Sequence, residues 1–211
     1  MADWVTISSL ATAGGTLVLA GATFASVRSA NRAARVAERS LLSGLQPLLV
    51  TSRLDDPTQK VHFQDGRVLV TPGGGGAAQV GDEAVYLTLS VRNAGSGIAV
   101  LHGWRFYPER NADLRRPDPA GFRPLTRDLY VAPGDIGFWQ GAFRDSSEPE
   151  YAAARKAVED REVISVDILY GDYEGGQRTI TRIALWPMDE ERWLAGVGRH
   201  WNVDRDDPRE H

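Results

Sequence analysis

Hydrophobic and polar residues follow two different periods along this chain, and the change falls near Pro47. From Trp4 to Val27 run 24 residues without a charge, WVTISSLATAGGTLVLAGATFASV. At ~1.5 Å per residue a helix of that length spans roughly 36 Å, enough to cross a hydrocarbon core of ~30 Å. Its small residues are ordered. Ser9, Ala13, Thr16, Ala20 and Thr23 follow steps of four and three, which places them on one helical face. Such faces let membrane helices approach closely, so this stripe is the expected contact of a homo-oligomer. After Val27 the helical period continues while the chemistry changes. Arg28, Arg32, Arg35 and Arg39 form one stripe, and Val27, Ala30, Ala34, Ala37 and Leu41 form a second. Gly44 and Pro47 are stop signals, so the helix is expected to end at about Ser43.

Beyond Pro47 the period becomes two. PLLVTSRL reads as a first strand, and KVHFQDGRVLVTP as a hairpin whose Asp65-Gly66 suits a type I′ turn. TPGGGGAAQVGDE reads as a flexible loop. In VYLTLSVRN the alternation puts Val85, Leu87, Leu89 and Val91 on one face, with Tyr86, Thr88, Ser90 and Arg92 on the other. Asn93 to Gly97 is a turn, IAVLHGWRFYP a strand, and the proline-rich stretch 108–121 a polar excursion. RDLYVAP and IGFWQGAFR are strands on either side of Pro133-Gly134. EPEYAAARKAVEDR (148–161) predicts a short helix with Pro149 in its first turn. VISVDILYGDYEGGQRTITRIALWP predicts a long hairpin turning between Gly171 and Gly176. DEERWLAGVGRHW places Trp193, Leu194, Val197 and Trp201 on one side of an expected C-terminal helix. Short strands without strand–helix alternation predict a mainly β chain, an antiparallel sandwich or barrel, of which the β-sandwich with one or two short helices is the expected form. The domains are therefore a helical segment over 1–46 (crossing a membrane over about 4–27), a β-sandwich over 47–188, and a C-terminal helix with a polar tail over 189–211.

Charge sharpens the first segment. The chain carries −4 overall, but residues 1–46 hold four arginines against Asp3 and Glu38, or +2, which leaves −6 for the rest. An acidic body is a poor partner for nucleic acid phosphates, so no nucleic acid is expected to bind. The arginine stripe instead suits the anionic headgroups of a bilayer, at about 1 kcal/mol per charge. A cleavable signal peptide would need a basic stretch ahead of its apolar run; all four arginines follow it. The positive-inside rule then predicts a single-pass anchor in the inner membrane, N-terminus outside and body in the cytoplasm.

Candidate chemistry is sparse. There is no cysteine, hence no disulfide and no thiolate ligand or nucleophile. His62, His102, His200 and His211 show no metal-ligand spacing, so no metal and no cofactor are expected. The glycines at 73–76 lack the Gly-Lys-Ser/Thr ending of a phosphate loop, and no Gly-x-Ser-x-Gly elbow occurs. Asp167, Asp172 and Glu174 put carboxylates near one hairpin, where turn formation competes with acid–base work. Arg178 and Arg182 could face an anion or pair with Asp167 across the hairpin. Trp104, Trp139, Trp186, Trp193 and Trp201 are either core or an exposed binding surface.

A Gln46-Pro-Leu-Leu-Val50 entry to the sheet, Val91-Arg-Asn-Ala-Gly-Ser-Gly-Ile-Ala99, Gly137-Phe-Trp-Gln-Gly-Ala142, Tyr170-Gly-Asp-Tyr-Glu-Gly-Gly-Gln-Arg-Thr179 and Arg199-His-Trp-Asn202 stand after the arginine-rich helix. With these the chain resembles uncharacterised bacterial single-pass membrane proteins whose soluble part is similar to an immunoglobulin-like sandwich. The resemblance implies that architecture and no activity. The expected role is thus a membrane-anchored interaction or sensor module without catalytic activity, with a protein partner of unspecified kind. The alternatives are a ligand-sensing membrane effector whose helix oligomerises, and a hydrolase built on His200 and the carboxylates of 167–174.

Overall fold

The computed structural model describes residues 4–189 and 192–205, with the side chains of 4–11, Arg39 and Ser43 outside that description. It divides into two units, 1–44 and 45–211. In the first, the helical spacing is realised as one uninterrupted helix, α1 (Trp4–Gly44), which stops one residue beyond the expected point. Its described side chains are exposed, Leu17, Val18, Leu19, Phe24 and Val27 among them, except the half-buried Leu42. Among the described residues no helix is long and apolar enough to cross a membrane. Those side chains begin at Thr12, so that finding covers only the second part of the uncharged run.

The second unit is mainly β. Its strands are β1 (Leu49–Thr51), β2 (Gln59–His62), β3 (Val68–Thr71), β4 (Gly75–Val80), β5 (Val85–Asn93), β6 (Ala99–Tyr107), β7 (Arg123–Val131), β8 (Ile136–Phe143), β9 (Ile164–Gly171), β10 (Thr179–Pro187) and β11 (Trp193–Asn202), with helix α2 (Pro149–Glu159) between β8 and β9. Nine strands form one curled, wholly antiparallel sheet in the order β1-β5-β4-β11-β10-β9-β6-β7, with β8 also paired to β5. The strands β2 and β3 form a separate hairpin. The alternation in β5 predicts its core face correctly but not that the hydrogen bonding runs on through a single sheet.

The core lies inside the curl. Val85, Leu87, Leu89 and Val91 point into it, as their spacing requires, beside Leu101, Val166, Ile168, Ile183 and Leu185. Trp104 stands edge-on to Trp139 and Phe143, at 5.3 and 5.1 Å between ring centres. Helix α2 adds Tyr151, Ala154, Ala157 and Val158 to the same core. Pro149 fits its first turn because that position has no intrahelical use for an N–H.

Three expectations are corrected. The C-terminal stretch is strand β11, not a helix: it pairs with β10 from Trp193↔Pro187 to Asn202↔Thr179. Gly196 and Gly198 weaken helix formation, and the 1-4-8 spacing of its apolar residues is also met by a strand with a bulge opposite Arg182 and Ile183. The glycine-rich stretch is not wholly a loop either. Gly75 and Gly76 open β4, which threads between β5 and β11; a Cβ on Gly75 would meet the Trp193 carbonyl oxygen at 2.5 Å. Lastly, the Asp65-Gly66 hairpin has the expected position but another turn. Gly66 N–H donates to the Phe63 carbonyl, and only Gly66 has a positive φ, the pattern of a three-residue loop with a glycine bulge.

The second face of β5 is covered as well. Tyr86 packs with Val61, Phe63 and Leu69 of the β2–β3 hairpin. The Thr88 hydroxyl meets Thr71 at 2.6 Å, and Ser90 accepts from Ser52 at 2.7 Å. Polar residues on that face thus satisfy one another under a lid rather than facing water.

Candidate functional site

Two places concentrate polar chemistry, and both lie in the β unit. The first is a clasp around the residues that enter the sheet. Asn93 is fully buried, and its side chain makes four hydrogen bonds. Oδ1 accepts from Leu48 N at 3.1 Å and Gly95 N at 3.0 Å; Nδ2 donates to the carbonyls of Gly97 and Val131, at 2.7 and 3.0 Å. Backbone N–H groups of Ala94 and Ser96 donate to Leu48 and Gln46, at 2.8 and 3.0 Å. A Cβ on Gly97 would collide with the Leu45 carbonyl, so the small residues of this turn admit the incoming chain. From the other side Tyr170 Oη accepts from Leu49 N at 3.0 Å and meets Thr181 Oγ1 at 2.9 Å, which in turn meets His200 Nδ1 at 2.7 Å. Burial pushes the Tyr170 phenol up to about 12.

The second place is a cleft of ≈ 330 Å³ on the outer face of β9, β10 and β11, under the polar excursion. Its wall is Arg182, which is 4% exposed. Nε and an Nη of Arg182 donate to the two oxygens of the fully buried Asp167, both at 2.7 Å. The other Nη donates to the carbonyls of Asp113 and Asn111, at 2.6 and 3.4 Å, which ties the excursion down. The guanidinium lies 5.0 Å from the Tyr107 ring centre and 4.9 Å from that of Trp201. Burial works against its charge, but hydrogen bonding and attraction from Asp167, with Tyr107 adding, hold the guanidinium above its ordinary pKa. Trp201 Nε1 donates to the Leu114 carbonyl at 3.1 Å, a further tie to the excursion.

The sequence-predicted residues fall as follows. Of the two arginines on β10's approach, Arg182 pairs with Asp167 as one alternative had it. Arg178 pairs instead with Asp204, its Nη 2.6 Å from Oδ1. Asp172 is a turn former: Oδ1 accepts from Gly176 N at 2.8 Å and Oδ2 from Gln177 Nε2 at 3.2 Å. His200 and Asp167 are not brought together. Thr181 faces His200 and the next residue, Arg182, faces Asp167, so the two groups lie on opposite faces of the sheet. His102 is held below its ordinary pKa, first by burial and then by Arg178. Among the described residues no group of three or more His, Asp or Glu side chains is placed to hold a metal ion; His211 lies outside them. Trp104, Trp139, Trp193 and Trp201 are buried at 3% exposure or less, so these are core, while Trp186 is half-buried.

On α1, Arg28, Arg32 and Arg35 line one exposed groove with Phe24 and Val27. The side chains of Arg39 and Ser9 lie outside the described residues. Ala13, Thr16, Ala20 and Thr23 are exposed. Thr16 and Thr23 donate to the carbonyls of Thr12 and Leu19, at 2.9 and 2.8 Å, so both hydroxyls already bond their own helix.

Sequence reasoning missed Arg110, Asn111, Trp186 and Arg199 as cleft residues, because the helical reading of 189–201 hid the strand that brings them together. The alternating Gly196 and Gly198 were the available signal. Comparison with protein-family models, with curated proteins and with solved structures finds no match.

Proposed function

We propose that this protein is a membrane-held recognition module, in which α1 sits in a bilayer and carries a β unit that binds rather than catalyses. The observation that carries the membrane part is the chemistry of α1. Leu17, Val18 and Leu19 are 69–74% exposed and consecutive, so at ~100° per residue they point in three directions. One protein face cannot cover all three; hydrocarbon can. The described uncharged stretch, Thr12 to Val27, would be roughly 24 Å long, and with Trp4 to Ala11 it reaches roughly 36 Å, against a core of ~30 Å. The arginines follow this run, which by the positive-inside rule places the β unit on the cytoplasmic side of an inner membrane, with anionic headgroups at Arg28, Arg32, Arg35 and Arg39.

Recognition rather than catalysis is supported by how the titratable groups are spent. Asp167 holds Arg182, Asp204 holds Arg178, Asp172 holds a turn, and His200 stands across the sheet from Asp167. On this reading the curled antiparallel sheet closes over its core as an immunoglobulin-like sandwich does, consistent with the resemblance in its motifs.

Carbonate extraction of cells expressing the full chain tests the anchor. The protein is expected in the membrane pellet, and a reporter fused after His211 is expected to be active only in the cytoplasm. Release of folded protein into the supernatant would refute the anchor, and an extracytoplasmic reporter signal would refute the orientation.

A further inference from the structure

We propose that the cleft over β10 and β11 binds a small anion that carries a flat ring. The proposal rests on the recognition reading above and names the ligand class of that unit.

The size is right: ≈ 330 Å³ is at the lower end of small-ligand sites. The charge is local and opposite to that of the unit. Among the described residues Arg110, Arg182 and Arg199 line the cleft with one carboxylate, Asp113; Asp167 already balances Arg182, which leaves the exposed Arg110 as the cation available to a ligand. Both oxygens of the Asp113 carboxylate are taken by Arg115, at 2.8–3.2 Å. The surrounding chain is acidic, so an anion is drawn to this cleft and not to the surface at large. The exposed guanidinium of Arg110 offers planar, forked donors suited to carboxylate and phosphate, whereas those of Arg182 are taken by Asp167 and the excursion.

The ring follows from Trp186 and the glycine beneath it, Gly196. Trp186 is half-buried and lines the cleft. A Cβ on Gly196 would meet its indole at 2.7 Å, so only glycine lets the ring lie flat across β11. An aromatic platform beside cationic planes favours a conjugated ring by stacking. The walls are fixed before any ligand arrives, since Arg182 is locked between Asp167, Tyr107 and Trp201. Ser165 completes the polar lining: its Oγ accepts from Asn111 N at 3.0 Å, and it is 1% exposed.

One chemistry has two sources here, a mononucleotide and an aromatic carboxylate, and the test separates them. Calorimetric titration of the full-length protein in mild detergent uses four probes: AMP, 2-aminobenzoate, adenosine and inorganic phosphate. AMP or 2-aminobenzoate is expected to bind at least tenfold more tightly than adenosine and phosphate, and whichever of the two is tighter identifies the source. Trp186→Ala and Arg110→Gln are each expected to weaken that binding tenfold or more. Arg110→Gln lies on the excursion and is the variant that keeps the test informative if Trp186→Ala fails to fold. No heat from either ringed anion up to millimolar concentration overturns the proposal. So does phosphate binding as tightly as the better of the two ringed anions, or Arg110→Gln binding unchanged. The titration is made in detergent, so its failure leaves the membrane anchor standing, and failure of the carbonate test leaves the cleft standing.

Discussion

Replacing Arg182 by alanine should be among the most damaging single changes in the β unit. The guanidinium makes two 2.7 Å hydrogen bonds to Asp167, two to excursion carbonyls, and stacks between Tyr107 and Trp201. With it removed, Asp167 remains fully buried and keeps one side-chain partner, the Tyr107 hydroxyl at 3.0 Å. Stranding one member of a buried ion pair costs about 4 kcal/mol. For a unit of this size that corresponds to a fall in Tm of roughly 8–16 °C. Urea unfolding followed by tryptophan fluorescence reads the loss directly, with an unchanged slope confirming that the folded state is still compact. The companion is Asp167→Leu/Arg182→Met, which removes both charges together. It should recover at least about 2 kcal/mol relative to Arg182→Met alone, because no buried charge is left over. The reasoning fails if Arg182→Ala costs under about 1 kcal/mol, or if the double variant is no more stable than the single one.

Two further outcomes follow from the clasp. Asn93→Ala strands two backbone donors and two carbonyls and should cost about 3 kcal/mol, with faster proteolysis near residues 45–48; a loss under about 1 kcal/mol would remove its assigned role. Tyr170 concerns alkaline pH. Its folded pKa of about 12 lies above the ordinary value of 10, so its contribution is whole below pH 10 and drains away as pH rises through 12. The full loss is about 3 kcal/mol. Stability of Tyr170→Phe should therefore fall less steeply between pH 9 and 12. Ultraviolet titration should lose one late-ionising tyrosine in that variant, while Tyr86 and Tyr107, which are also held above the ordinary value, still lag. Six tyrosines ionising together near pH 10 in the folded protein would contradict the assignment.

How far these features could be read in advance differs by element. In β5 the period of two named every residue facing the main core, because an apolar face alternates with a polar one even though both are covered. Strand β11 was misread because Trp193, Leu194, Val197 and Trp201 fit a helix while two glycines and a bulge spoke for a strand; only pairing with β10 decides between them. The order of strands is non-local and leaves no trace in periodicity. The Arg182–Asp167 pair was visible as an alternative, since both lie on one hairpin. The cleft was not, for its residues come from 110–114, β9, β10 and β11 and meet only when the excursion folds back. Asn93 read as an ordinary turn residue, and nothing local reveals that its partners include Leu48, 45 positions earlier.

That last contact sets the length of the leash. Helix α1 ends at Gly44, and Gln46 is already held by Ser96 and Gly97, so a single residue, Leu45, lies between the helix and the clasp. A flexible linker of twenty residues would let a domain roam about 25 Å from its tether; one residue gives no such reach. On the proposed anchoring, α1 itself also runs on from Arg28 to Gly44, roughly 25 Å of helix, before the chain reaches the clasp.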